Sequence, residues 1–361
     1  MKYRSTHEEV TNVSLIINHD KSESLKAFSH DQIVQILALD GGGLKGLFSA
    51  SALKALEEHL GHSITEHFDL IAGTSTGGLI ALGLGLGKSA KEIQEFYIKD
   101  GPKIFPNRGL KKILRFWKNW FYTKYSNKML KETLQKLLVL PDADEPLLRD
   151  STKRLLIPTF LAANSKPRIL KTPHDPRLRS DWRLPMWAVA MATSAAPTYP
   201  PAFHYGGNRY LDGGLWANNP SLVAVVEAIE MGASLENIRV LNLSTTSCHS
   251  DCLVFNPFGF RFDYGTLGRI PWASKVLPVA MQAMSYATSH MYLRQLLKPG
   301  NMALIDRHVS SEHKLDHINF EEFKTIGEDA GLQSVGGLND YFKHIAAPFA
   351  PDNTAIGTNN V

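Results

Sequence analysis

Phe68-Asp69-Leu70-Ile71-Ala72-Gly73-Thr74-Ser75-Thr76-Gly77-Gly78 is the stretch around which the chain is organised. Leu70, Ile71 and Ala72 read as a short buried strand that ends in Gly-x-Ser-x-Gly. The chain then passes at once into an apolar, glycine-containing run from Leu79 to Leu86. Glycine on both sides of Ser75 lets the backbone turn sharply from strand to helix where side chains would clash. Ser75 then sits at the tip of the turn, with its oxygen exposed where the helix dipole favours negative charge. Gly-x-Ser-x-Gly also arises by chance, so the turn alone fits either a nucleophile or a tight corner without chemistry.

The preceding unit repeats the order strand, glycine loop, helix. Ile33 to Leu39 reads as a buried strand, Asp40-Gly41-Gly42-Gly43-Leu44-Lys45-Gly46 as the loop, and Leu47, Leu53, Leu56 and Leu60 as apolar positions of a helix. Two consecutive units of this kind predict a parallel sheet covered by helices. Gly41-x-Gly43-x-x-Gly46 formally matches a dinucleotide-binding fingerprint, which wants an acidic residue at the end of the second strand. Here Asp69 lies near the start of that strand and the Ser75 turn occupies its end. Gly83-Leu84-Gly85-Leu86-Gly87-Lys88-Ser89 fails as a phosphate loop because position 82 is Leu. Glycines at a strand tip expose backbone N–H groups at a helix start, which is what an oxyanion hole requires.

At 361 residues, 43% hydrophobic and 20% charged, the chain is globular and long enough to bury a large core. The net charge of +4 points to no partner class, and Cys248 and Cys252 suggest no disulfide framework. The polar leader 1–32 lacks a signal-peptide apolar stretch, and no apolar run is long enough to span a bilayer. A cytoplasmic location is the resulting expectation. The segment Gly101 to Lys131 is unusual in holding no acidic residue. Its cations, Lys111 and Arg115 among them, alternate with aromatics that include Trp117, Trp120 and Phe121. A basic helix with an aromatic side suits an anionic membrane interface, a packing helix with a solvated back, or, less simply, nucleic acid.

Further on, Lys153 to Ala163 reads as a strand and Met186 to Pro197 as a small-residue helix stopped by proline. Phe203 to Leu211 reads as one strand ending at Asp212-Gly213-Gly214. A helix follows from Asn218-Asn219-Pro220 to Met231, then a strand from Ile238 to Leu243. Helices are expected at Trp272 to Leu297 and Phe320 to His344. Ser75 needs a base. His249, His290, His308, His313 and His317 are available, though none lies in a motif-like setting. Asp212 does, and desolvation of a carboxylate raises its pKa and its power to take a hydroxyl proton. A turn-capping aspartate is the competing reading. The spacing of Cys248, His249, Cys252 and the later histidines matches no standard metal site.

Asp40-Gly41-Gly42-Gly43-Leu44-Lys45-Gly46, Gly73-Thr74-Ser75-Thr76-Gly77-Gly78 and Asp212-Gly213-Gly214, in that order, resemble the patatin-like phospholipase family. Ala192-Thr193-Ser194-Ala195-Ala196-Pro197 and Asn218-Asn219-Pro220 also match that family's pattern. The resemblance implies a three-layer α/β/α fold with a mostly parallel central sheet, and a lipid acyl hydrolase that works without histidine or metal. It makes Ser75 the nucleophile, Asp212 the base, and Gly41, Gly42 and Gly43 the oxyanion hole, with Asp40 and Lys45 holding the loop. The implied layout is a leader 1–32, a catalytic core 33–245 carrying the insert 101–131, and a helical C-terminal extension 246–361 that suits regulation. In length, motif wording and basic insert the chain is similar to the cyclic-dinucleotide-activated phospholipases of bacterial antiphage signalling. That likeness implies no cofactor, a cyclic dinucleotide as activator, and a peripheral position at the inner face of an anionic membrane. A constitutive esterase and a catalytically idle membrane- or nucleotide-binding module remain the alternatives.

Overall fold

The computed structural model describes residues 27–104, 127–143, 145–175, 178, 180–197, 199–248, 254–255, 262–263, 276–309, 318–349 and 351. The strands are β1 (Val34–Leu39), β2 (Leu70–Gly73), β3 (Arg154–Leu161), β4 (Lys166–Lys171), β5 (Phe203–Tyr205), β6 (Asn208–Asp212), β7 (Ile238–Leu243), β8 (Ser247–Cys248), β9 (Val254–Phe255), β10 (Phe262–Asp263), β11 (Met302–Ile305) and β12 (His308–Val309). The helices are α1 (Gly46–Leu60), α2 (Thr76–Gly85), α3 (Ala90–Ile104), α4 (Asn127–Leu137), α5 (Met186–Thr193), α6 (Ser221–Glu230), α7 (Val276–Tyr286), α8 (Leu293–Leu296) and α9 (Phe320–Ser334). A π-helical stretch, Ala287–Tyr292, joins α7 to α8.

An eight-stranded sheet forms the centre. Strands β11, β7, β1, β2 and β3 run parallel, as the repeated strand–loop–helix units predict. Strand β3 then takes three partners. Its first residues, Arg154 to Leu156, pair with β2, and Thr159 to Leu161 pair antiparallel with β6. The whole run Leu156 to Leu161 pairs antiparallel with β4. Leu156 and Thr159 each face β4 on one edge, so β2 and β6 share the other edge and approach each other head to head.

Side chains alternate along each strand, and the two sets enter different apolar layers. Leu37 and Leu39 of β1, Ile71 of β2 and Leu241 and Leu243 of β7 pack with α1, α2, α3 and α5. Ile36, Ala38, Leu70, Ala72 and Val240 pack with α6 and with Leu293 and Leu297. Helices therefore cover both faces, and the α/β/α layering follows from the pattern of the strands. On the first face α9 lies tightly on α1, because Gly327 and Gly331 leave no side chain between the helices. A methyl at either position would come within 2.5 Å of the carbonyl oxygen of Phe48 or Ala52. Lys54 and Gln94 both reach Glu328 across this junction, at 3.1 and 3.0 Å.

The structure differs from the sequence reading in three places. Phe203 to Leu211 is a hairpin, β5 and β6, turned by Gly206 and Gly207 with φ of 55° and 77°, and two positive φ values in succession make the primed turn that suits a hairpin. The expected helix from Phe320 to His344 stops at Ser334, followed by a single 3-10 turn, Val335–Leu338, that contains Gly336 and Gly337. The stretch after 245 is not wholly helical, since β11 joins the central sheet beside β7. Most of the leader (1–26) and residues 105–126 of the insert lie outside the described residues, and with them Lys111, Arg115, Trp117, Trp120 and Phe121. Among the described residues no helix is long and apolar enough to cross a membrane.

Substituting Gly327→Val should force α9 away from α1 and lower the unfolding free energy in urea by about 1–3 kcal/mol, the range for an overpacked core. Solvent-exposed Gly337→Ala, which meets nothing within 4 Å, serves as the matched control.

Candidate active site

Ser75 occupies the corner between β2 and α2 with φ 53° and ψ −119°, a region that side-chain-bearing residues rarely adopt. Holding it there costs on the order of 1–3 kcal/mol, so the surroundings must over-determine the turn. They do so through backbone contact and one side chain. A methyl at Gly73 would sit 2.2 Å from the Gly77 oxygen, and one at Gly77 would sit 2.2 Å from the Leu39 oxygen. The Ser75 N–H donates to Thr193 Oγ1 at 2.9 Å, and the Thr193 hydroxyl donates to the Pro158 carbonyl at 2.6 Å. Thr193, at the end of α5, thus ties the corner to β3. The sequence places it in the stretch Ala192 to Pro197 that matches the family's pattern, without showing that it reaches Ser75.

Ser75 Oγ donates to Asp212 Oδ2 at 2.8 Å, across a sequence separation of 137 residues. Asp212 ends β6 opposite Thr159, while Ala72 of β2 lies opposite Leu156. Three residues of β3, about 10 Å at the usual strand rise, separate the two register positions, and the Ser75 turn reaches across them. The other carboxylate oxygen accepts the Gly214 N–H at 2.7 Å. Gly213 gives the backbone room, since a methyl there would lie 2.2 Å from the Pro158 oxygen. Burial pushes the Asp212 carboxyl up to about 6, against the lowering effect of its bonds from Gly214 and Ser75. A buried carboxylate of that basicity, bonded to a single hydroxyl, is poised to take its proton.

The glycine loop leaves β1 beside this pair. Asp40 is buried, with its N–H on the Leu243 oxygen and its Oδ1 accepting from Asn242 Nδ2 at 2.7 Å. Burial pushes its carboxyl up to about 8. Of the three expected oxyanion donors, Gly41 is spent elsewhere: its N–H donates to the backbone carbonyl oxygen of Asn218 at 2.9 Å. Its own carbonyl accepts from Thr245 Oγ1 at 2.9 Å, so Gly41 anchors the loop. Among the described residues nothing accepts from the N–H groups of Gly42 and Gly43. Gly43 has φ 61°, which suits glycine, and it borders the same cavity as Ser75. Lys45 lies in the single turn that follows, and Gly46 lets α1 start against Thr76 of α2.

Ser75 and Asp212 both line a single cavity. Leu44, Leu79, Phe96, Ile104 and Leu130 give it an apolar wall, and Tyr97 bonds back to the Thr76 carbonyl at 3.2 Å. The wall thus draws on Ile104 and Leu130, which lie toward the two ends of the insert 101–131. Met281 of α7 completes the lining from beyond the motif-bearing region. His290 and His308 are bonded to Ser289 and Ser247, while His249, His313 and His317 lie outside the described residues. A Thr172–His174–Glu227 array has relay-like spacings of 2.8 and 3.1 Å, but Thr172 and His174 are buried and the array fastens β4 to α6. Among the described residues no cluster of three His, Cys, Asp or Glu side chains is placed to hold a metal.

The sequence profile described as patatin-like phospholipase matches residues 37–225. The chain is 32% identical over 306 residues to a protein of Vibrio cholerae named cGAMP-activated phospholipase, covering 78% of this chain and 84% of that one. A protein of the same name in Pseudomonas aeruginosa is 31% identical over 311 residues, covering 83% and 89%. Patatin-like protein 1 of Arabidopsis thaliana is 34% identical over 235 residues, covering 58% of this chain and 55% of its own length. With a matching profile over half its length and such relatives along most of it, the chain belongs to the patatin-like phospholipase family, hydrolases of lipid esters.

Proposed function

We propose that the protein releases fatty acids from membrane phospholipids through an acyl-enzyme on Ser75, with Asp212 as the only base. The observation that carries this reading is the 2.8 Å hydrogen bond from Ser75 Oγ to a buried carboxylate of raised pKa at the mouth of an apolar cavity. As Ser75 Oγ attacks the ester carbonyl, its proton passes to Asp212 Oδ2. The carbonyl oxygen becomes an oxyanion facing the N–H groups of Gly42 and Gly43, helped by the N-terminus of α2. The C–O bond to the lysolipid breaks, and Asp212 returns the proton to the departing alkoxide. Water then gives a proton to Asp212 and its hydroxide to the acyl carbon. Ser75 leaves with the proton, and a free fatty acid is formed. The apolar wall formed by Leu44, Leu79, Phe96, Ile104 and Leu130 suits an acyl chain better than a polar substrate.

The relatives named cGAMP-activated phospholipase support a second part of the proposal, that a cyclic dinucleotide switches the activity on. An enzyme that degrades membranes is tolerated only if its resting state is off. We further propose that the enzyme works from the cytoplasmic side and meets the inner face of an anionic membrane through the basic aromatic insert, and that the chain after 245 carries the regulatory surface.

Vesicles of bacterial phospholipid, incubated with the protein alone and with a panel of cyclic dinucleotides, should release free fatty acid, most strongly with one of the nucleotides. Ser75→Ala and Asp212→Asn should each lower the rate by about a thousandfold or more, as for nucleophile–base pairs in general. Equal rates in parent and variants would rule out the dyad. The elevated carboxyl gives a pH signature as well. Below about 6 Asp212 holds its proton and cannot accept another. Turnover should therefore fall by about tenfold per pH unit on the acid side and level off above it. A histidine base would put the inflection on that histidine, and its replacement, not Asp212→Asn, would abolish the limb.

A further inference from the structure

Two side chains of α7, one turn apart, enter the site from outside the residues matched by the family profile. Met281 lines the cavity, and a methyl on Gly214 would lie 2.8 Å from its Cε. Ser285 is joined to Asn218, which holds the glycine loop. Its Oγ accepts from Asn218 Nδ2 at 2.8 Å. Asn218 grips Gly41 from the other side, taking its N–H at 2.9 Å and reaching its carbonyl with Nδ2 at 3.4 Å. Asp40 is the residue from which the loop departs. Ser285 is held in turn, because Ser289 Oγ donates to its carbonyl at 2.9 Å where the π-helical stretch begins. Interruptions of this kind in a helix are found at functional sites more often than elsewhere.

We propose that Ser285 is a positioning residue for the acyl-transfer reaction, holding the Asn218 side chain against Gly41 so that the N–H groups of Gly42 and Gly43 stay aimed at the oxyanion. The inference rests on the acyl-hydrolase reading above. Donors in such a hole act through their placement, and a displacement of about 1 Å can cost a hundredfold in rate. A hydroxyl that fixes the side chain of the loop's support controls that placement without touching substrate. It also couples the position of α7 to the competence of the site.

The test measures phosphonylation of Ser75 by a fluorophosphonate and turnover of p-nitrophenyl butyrate, in the full chain with and without the panel of cyclic dinucleotides, with thermal melting alongside. Ser285→Ala should slow both reactions by about ten- to a hundredfold through kcat, with KM within about twofold and the melting midpoint nearly unchanged. Ser285→Thr, which restores the hydroxyl, should recover most of the rate. Because Ser285 acts through Asn218, the Ser285→Ala/Asn218→Ala pair should be little slower than Asn218→Ala alone. If the alanine variant does not melt cooperatively, Ser285→Cys carries the same test at nearly constant volume. Parent-like rates in Ser285→Ala, or full additivity with Asn218→Ala, would overturn this inference and leave the Ser75–Asp212 reading intact. Absence of any labelling at Ser75 in the parent would overturn both.

Discussion

One edge of β3 carries two strands that run toward each other, and the site depends on that arrangement. Hydrogen bonding to Arg154–Leu156 brings β2 up the edge, while hydrogen bonding to Thr159–Leu161 brings β6 down it. A strand arriving from below must leave the sheet where the other begins, and the sharp corner at Ser75 is how it leaves. Glycines at 73 and 77 admit the backbone contacts of that corner, and Thr193 fastens it to the carbonyl of Pro158 on β3 itself. The meeting of Ser75 with Asp212 is therefore a result of sheet pairing, and strain at a single residue is its cost.

Desolvation then sets the electrostatics. Asp40 and Asp212 both lie in the interior with carboxyls raised by burial. They are satisfied differently. Asp212 takes bonds from one hydroxyl and one backbone N–H, which leaves it basic and next to a proton it can accept. Asp40 is tied to the β7 strand twice, its carboxyl to Asn242 and its N–H to the Leu243 carbonyl, so it serves as a fixed post for the loop. Two aspartates that look equivalent in glycine-rich motifs thus have distinct parts, decided by which groups surround them.

The chain beyond the matched family region is woven into the same body. β11 extends the sheet, α9 lies on α1 through two glycines, and Tyr341 donates from its hydroxyl to the Val240 carbonyl. At the far end of the sheet from Ser75, His344 bonds Asp69 at 2.7 Å, and the Ala346 N–H donates to the Glu66 carbonyl at 2.8 Å. Contacts from this part of the chain reach the sheet and, through Met281 of α7, the cavity.

The sequence by itself determined the local geometry. Apolar runs with alternating destinations made β1, β2 and β7, and Gly-x-Ser-x-Gly and the triple glycine required tight backbone corners at strand ends. The order of these units called for a parallel sheet between helices. Ser75 and Asp212 stood out because each lies in a setting whose backbone demands are written in neighbouring glycines. What only the tertiary structure decided concerns pairing partners and hydrogen-bond ownership. That Phe203 to Leu211 folds back at Gly206-Gly207, that Gly41 spends its N–H on the Asn218 backbone carbonyl, that Thr193 and Met281 flank Ser75 and Asp212, and that Ser285 bonds Asn218 are all long-range facts. Periodicity and turn chemistry act over a few residues, whereas a donor or acceptor is claimed by whichever group the fold brings within about 3 Å. No local pattern records that choice.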